Sequence, residues 1–165
     1  MLSHHNLIAN MMQCASIMSV EFVAGQEVVI APLPLYHIYA FTFFCMAGTY
    51  LGCHNVLITN PRDIKAFTAL VGLNTLFVAL MNNEEFAKMD FSKLRMTVSG
   101  GMALQSAVVK RWENLTGTTI NEGYGLTETS PVVAVNPLGY NQVGTIGLPV
   151  PLTECRTINE SGEDV

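Results

Sequence analysis

Over residues 2–18 the apolar positions Leu7, Ile8, Met11, Met12, Ala15 and Met18 recur close to the helical period, behind a serine, Ser3, that can cap the first amides. This spacing predicts a helix. Residues 27–31 (EVVIA) form a short β-branched run closed by Pro32 and Pro34, which predicts a strand. The apolar stretch 38–51 predicts a buried helix, and 55–58 (NVLI) a second strand. Pro61 opens an amphipathic run to about residue 71, read as a helix, and 75–78 (TLFV) is read as a strand. Residues 84–89 predict a short helix, 94–98 (LRMTV) a strand, 103–115 a helix and 119–121 another strand.

Strands that alternate with helices imply an α/β fold: a largely parallel sheet with helices on both faces. After Pro131 the texture changes. Pro137, Gly139, Gly144, Gly147, Pro149 and Pro151 punctuate short extended pieces, with 152–158 the last expected strand. The expected organisation is therefore an α/β subdomain over 1–130 and an extended segment over 131–165 leading toward a β-rich subdomain, with the C-terminus read as cut.

Composition narrows the function classes. Half of the 165 residues are hydrophobic and only 13% are charged, against roughly 25% in a typical soluble domain. Apolar surface is thus expected to be covered by further chain, a partner, a ligand or self-association. A net charge of -5 with scattered lysines and arginines offers no basic footprint and argues against nucleic acid. The four cysteines show no CxxC or metal-finger spacing, which suits reduced, buried thiols. The first residues lack the basic and apolar regions of a signal peptide. Residues 38–51 are too short to span a bilayer. A cytoplasmic protein without a transmembrane span is expected, with room for contact at the periphery of the inner membrane.

The segment richest in chemistry is 121–131, NEGYGLTETSP. It follows an expected strand, and in open α/β sheets ligands lie beyond the carboxyl ends of strands. Gly123 and Gly125 flank Tyr124, allowing a tight turn with an aromatic face free to stack on a base. Thr127 and Glu128 bring a hydroxyl and a carboxylate together, hard oxygen groups suited to a phosphate and Mg²⁺. Taken as bare GYG or TE, the same residues describe an ordinary glycine turn with a threonine cap and a solvated glutamate.

The whole string resembles the signature loop of the adenylate-forming superfamily of acyl-CoA synthetases, firefly-type luciferases and peptide-synthetase adenylation domains. Among these it is most like the bacterial long-chain fatty acid-CoA ligases. Three further segments match in order: PLPLYHIY at 32–39, SGGMAL at 99–104 and GTIGLPVP at 144–151. The resemblance implies that Tyr124 stacks on adenine, that Glu122 and Gly123 lie at its amino edge beside Gly125, that Thr127 touches the α-phosphate and that Glu128 ligates Mg²⁺. It implies that His37 aligns the acyl carboxylate, and that Gly100, Gly101 and Met102 form a wall shared by adenine and acyl group. SGGMAL is neither GxGxxG nor a P-loop, so dinucleotide and Walker-type binding are not indicated. LSHHNL at 2–7 resembles the segment after the family's phosphate loop, which is not in this sequence, nor is the downstream catalytic lysine. The implied reaction joins a fatty acid, ATP and CoA, with ATP/AMP, Mg²⁺ and CoA as cofactors or co-substrates. Residues 38–51 and 75–86 are expected to line the acyl tunnel, and this chain alone is expected to be inactive. The alternatives are another acid-activating ligase, for aryl, short-chain or amino acids, or a non-catalytic binding module.

Overall fold

The computed structural model describes residues 1–58 and 67–165. Helix α1 (His4–Met18) starts where Ser3 ends an extended segment. Ser3 Oγ accepts the Asn6 amide at 3.3 Å, and the Ser3 amide donates to Asn6 Oδ1 at 2.9 Å. This reciprocal pair satisfies amides that a helix start leaves free. The helix buries Asn10, Cys14, Ala15 and Met18, a stripe at helical spacing.

Among the described residues seven strands form one sheet in the order β2-β1-β3-β4-β5-β6-β7. They are β1 (Val28–Ala31), β2 (His54–Leu57), β3 (Ala69–Gly72), β4 (Met96–Ser99), β5 (Asn121–Gly125), β6 (Val132–Val135) and β7 (Leu148–Pro149). The first five are parallel, and β6 and β7 join antiparallel. The change of texture after Pro131 is thus a switch of pairing direction within the same sheet.

Side chains alternate across the parallel strands and divide the core in two. Val29, Ala31, Ala69, Val71 and Met96 face a layer made by α1 and the segment after His37. Ile30 and Leu70 face the opposite layer, made by α3 (Asn74–Met81), α4 (Glu84–Ala87) and α5 (Ser106–Thr116). In that second layer Trp112 is fully buried, its ring 5.1 Å from Phe77 and 5.9 Å from Phe86. The helix expected over 38–51 is real but wide. A short α2 (Ile38–Ala40) runs into a π-helical stretch, Phe41–Gly48. Asn55 of β2 donates its side-chain amide to the Phe44 carbonyl at 3.0 Å, supporting that irregular ladder.

At the amino edge of the parallel strands Glu27 is buried and paired with Arg95. It accepts the Thr68 hydroxyl at 2.6 Å and the Val23 amide at 2.8 Å. Burial acts to raise its carboxyl pKa, but these hydrogen bonds and the Arg95 charge outweigh it and hold the group below its ordinary value.

Several sequence expectations fail here. Residues 75–78 are helical, inside α3, and on the sheet face away from α1. The helix read from Pro61 fails at its end, because residues 69–72 are β3; residues 61–66 lie outside the described residues. The expected strand at 152–158 does not form: residues 150–156 are turn or irregular, and Ile158 makes a lone bridge to Asp164. The expected strand at 119–121 begins only at Asn121 and continues through NEGYG. No helix among the described residues is long and apolar enough to cross a membrane.

Candidate functional site

A cavity of about 320 Å³ opens at the carboxyl ends of β4 and β5, on the α1 face of the sheet. Its mouth is formed by Gly100 and Gly101 on one side and by Gly123 to Glu128 on the other. Its floor is apolar, made by Cys14, Ile17 and Met18 of α1, Phe43 of the π-helical stretch, and Met96 and Val98 of β4. A ligand with a polar head and an apolar body matches this division.

Local backbone chemistry shapes the mouth. Gly101 sits at φ +78, in the region glycine tolerates, where the chain leaves β4. Gly100 packs on the Tyr39 ring: a Cβ there would stand 3.1 Å from Tyr39 Cζ. Gly125 is more tightly constrained, since a Cβ would overlap the Pro131 carbonyl across the β5–β6 turn. Between them Tyr124 is 42% exposed and borders the cavity, so its ring is free to meet a planar ligand. Thr127 and Glu128 open a short 3-10 turn, both exposed, and neither side chain has a protein hydrogen-bond partner among the described residues. No group of three or more His, Cys, Asp or Glu able to hold a metal occurs among the described residues. Glu128 alone still suits Mg²⁺, which takes one or two carboxylates and completes its shell with water and phosphate oxygens.

His37 holds two positions at once. It caps α2, its Nδ1 accepting the Tyr39 amide at 3.2 Å, and it also borders the cavity. With Nδ1 engaged as acceptor, the neutral ring carries its proton on Nε2, ready to donate. Two residues of the expected set lie elsewhere. Met102 is half exposed outside the cavity, and Glu122 is buried behind it with Oε1 accepting the Leu104 amide at 3.0 Å. The others, His37, Gly100, Gly101, Gly123, Tyr124, Gly125, Thr127 and Glu128, are brought together around one opening.

This assembly, a glycine-flanked tyrosine and a Thr-Glu pair above an apolar floor, agrees with a family comparison: the model of the AMP-binding enzymes matches residues 1–165. The chain belongs to the AMP-binding enzyme family. It is 46% identical to a long-chain-fatty-acid–CoA ligase of Salmonella typhimurium, over all of this chain and 31% of that relative. A long-chain-fatty-acid–CoA ligase of Bacillus subtilis is 31% identical over 97% of this chain and 30% of its own length. Among solved structures, an anthranilate CoA ligase in complex with anthranoyl-AMP superposes with a TM-score of 0.85 at 22% identity, over 99% of this chain and 33% of its own. The chain thus spans about a third of the length of the relatives it matches.

Several features of this AMP-binding chain escaped the sequence reading. Cys14, Ile17 and Met18 line the floor, although the expected helix 2–18 carried no site residue. Burial pushes the Cys14 thiol up to about 12, so it behaves as a neutral apolar group there. Tyr39 and Ser99 also reach the cavity, and the hydroxyl of each is buried without a protein partner. Burial, with Cys14 nearby, raises the Tyr39 phenol above its ordinary value. Conversely, α3 does not line the cavity, because it packs on the other side of the sheet.

Proposed function

We propose that this chain is the adenine- and acyl-facing part of an ATP-dependent long-chain fatty acid-CoA ligase. The observation that carries the reading is the cavity itself: one opening joins the NEGYGLTE edge to an apolar floor of Cys14, Ile17, Met18 and Phe43. That is a place for a carboxylate head beside a nucleotide, with an alkyl chain buried below. The name of the ligases at 46% identity supports the fatty-acid class.

In the first half-reaction a carboxylate oxygen of the fatty acid attacks the α-phosphorus of ATP. A new P–O bond forms, and the bond from that phosphorus to the oxygen bridging to the β-phosphate breaks, releasing pyrophosphate. In the second, the sulfur of CoA attacks the acyl carbon, loses its proton, and AMP departs with the bonding pair. In this reading Tyr124 stacks on adenine, with Gly100, Gly101, Gly123 and Gly125 allowing the ring close approach to backbone. His37 donates from Nε2 to the acyl carboxylate and holds it for attack, a positioning contribution. The Thr127 hydroxyl donates to an α-phosphate oxygen as charge builds there. Glu128 would hold Mg²⁺, which supplies positive charge against the phosphate oxygens when bound.

The same proposal takes 1–130 as the subdomain bearing these residues and 131–165 as the link toward a β-rich subdomain. It puts the protein in the cytoplasm, with contact at the inner membrane through its substrate. Exposed apolar residues such as Tyr36 and Leu57 support self-association of this chain studied alone. The test is ATP–pyrophosphate exchange by the full-length protein that carries this chain, across a panel of acids. Exchange with long-chain fatty acids is expected; exchange driven only by aryl, short-chain or amino acids would refute the assignment.

A further inference from the structure

The ladder between β4 and β5 ends at the pair Ser99 and Glu122. Beyond it the two chains diverge into the two sides of the cavity mouth, one turning at Gly101 and the other continuing to Tyr124. A tie between them beyond the ladder comes from the Glu122 side chain. The residue is 8% exposed and does not line the cavity; Oε1 accepts the Leu104 amide at 3.0 Å, just ahead of α5, while Oε2 is buried with no protein partner among the described residues. Removing this bond would strand a backbone amide, which costs more than the bond itself contributes. The Glu122 backbone is fixed as firmly. Its carbonyl accepts both the backbone amide and the side-chain amide of Asn136, at 2.9 and 3.1 Å. Asn136 is itself 1% exposed and anchored through Thr145 and Gln142.

We infer that Glu122 is a positioning residue: through Leu104 it pins the 100–104 turn to β5 and so sets the width of the slot between Gly101 and Tyr124 that an adenine ring would enter. This rests on the nucleotide reading of the cavity proposed above. The resemblance implies Glu122 at the adenine edge as a contact residue; in the structure its Oε1 is taken up by the Leu104 amide and the residue does not line the cavity. The floor of the cavity, built from α1, the π-helical stretch and β4, does not depend on this tie.

The experiment uses the full-length protein that carries this chain, titrated by calorimetry with AMP and, separately, with a long-chain fatty acid. Glu122→Ala is expected to weaken AMP about tenfold or more, the loss of one bond with its amide left unpaired, and to leave the fatty-acid affinity within about twofold. Glu122→Gln keeps an acceptor for Leu104 and is expected to stay within about threefold of wild type for AMP. Equal weakening of AMP and fatty acid in Glu122→Ala would mean a general loss of structure and would overturn the inference. So would Glu122→Gln as weak as Glu122→Ala, or an AMP affinity that neither change moves. Amide exchange at Leu104 needs no nucleotide: strong protection in the wild type and in Glu122→Gln, lost in Glu122→Ala, is expected, and an unprotected wild-type amide overturns the tie. If the wild type failed to bind AMP while Leu104 stayed protected, the nucleotide reading would fall and the slot role with it, but the tie would stand.

Discussion

Replacing Asn10 by alanine should destabilise this chain far more than a polar-to-alanine change on a helix usually does. Val132 begins β6 and is flanked by β5 on one side, where it is opposite Gly125. On its other side β7 pairs only with Ala134 and Val135 and so stops short. The Asn10 side chain stands in for a neighbouring strand there: Oδ1 accepts the Val132 amide at 2.9 Å and Nδ2 donates to the Val132 carbonyl at 2.7 Å. Asn10 is 5% exposed. Two neutral hydrogen bonds contribute ~1 kcal/mol each, and stranding their backbone partners adds part of the ~1–3 kcal/mol cost of an unsatisfied buried group. Val132 is only half-buried, so water recovers some of that; the expected loss is ~2–4 kcal/mol. For a chain of this size that is a fall of roughly 5–15 °C in Tm. Thermal unfolding followed by far-UV circular dichroism reads it. Asn10→Asp sharpens the test, since a carboxylate would accept from the amide yet face the carbonyl. It should be at least as unstable as the alanine variant at neutral pH and recover partly in acid, where the protonated group can donate. A shift within about 1 °C for Asn10→Ala, well below the expected fall, would refute the reasoning.

Three other outcomes are expected. Gly125→Ala would force its Cβ into the Pro131 carbonyl, and since both are backbone the strain cannot be relieved by a rotamer change; a loss of ~3 kcal/mol or more is expected in the same melts, and wild-type stability would contradict the packing. Because the folded pKa of Glu27 is depressed, its stabilisation is complete above the unfolded value of ~4.3 and is lost as pH falls through the lower folded value. Arg95→Met should therefore cost ~2–3 kcal/mol near neutral pH, discounted because Arg95 is 38% exposed, with the deficit shrinking on acidification; a pH-independent deficit would count against the pair. Alkylation mapped by mass spectrometry should label exposed Cys45 and Cys155 first in mildly alkaline buffer, Cys53 slowly, since burial and then the Glu27 charge push it up to about 11, and Cys14 only on unfolding.

Much of this architecture could be read from short-range pattern. Ser3 and the spacing from Leu7 to Met18 located α1 because capping and amphipathicity are local properties. The alternation of strands and helices gave the parallel sheet, and NEGYGLTE with SGGMAL marked the two sides of the cavity mouth. What misled was length. Residues 75–78, β-branched and aromatic, read as a strand, yet Phe77, Leu80 and Met81 with Asn74 make one buried helical stripe that a four-residue window cannot display. NEGYG read as a loop because glycine weakens any strand reading; antiparallel β6 supplies the partner that makes it β5. The role of α1 in the floor, the tether from Asn10 and the bond from Glu122 to Leu104 all join residues far apart in sequence, where no period or motif reports them.

The single tryptophan gives the two faces of the sheet separate optical behaviour. Trp112 is enclosed by Phe77 and Phe86 in the layer of α3, α4 and α5, while the cavity lies across the sheet beside α1. Its emission is that of an indole shielded from water, and it reports when that aromatic layer comes apart. An unfolding curve of this chain recorded by tryptophan fluorescence therefore reads the α3, α4 and α5 layer, on the face of the sheet opposite the cavity.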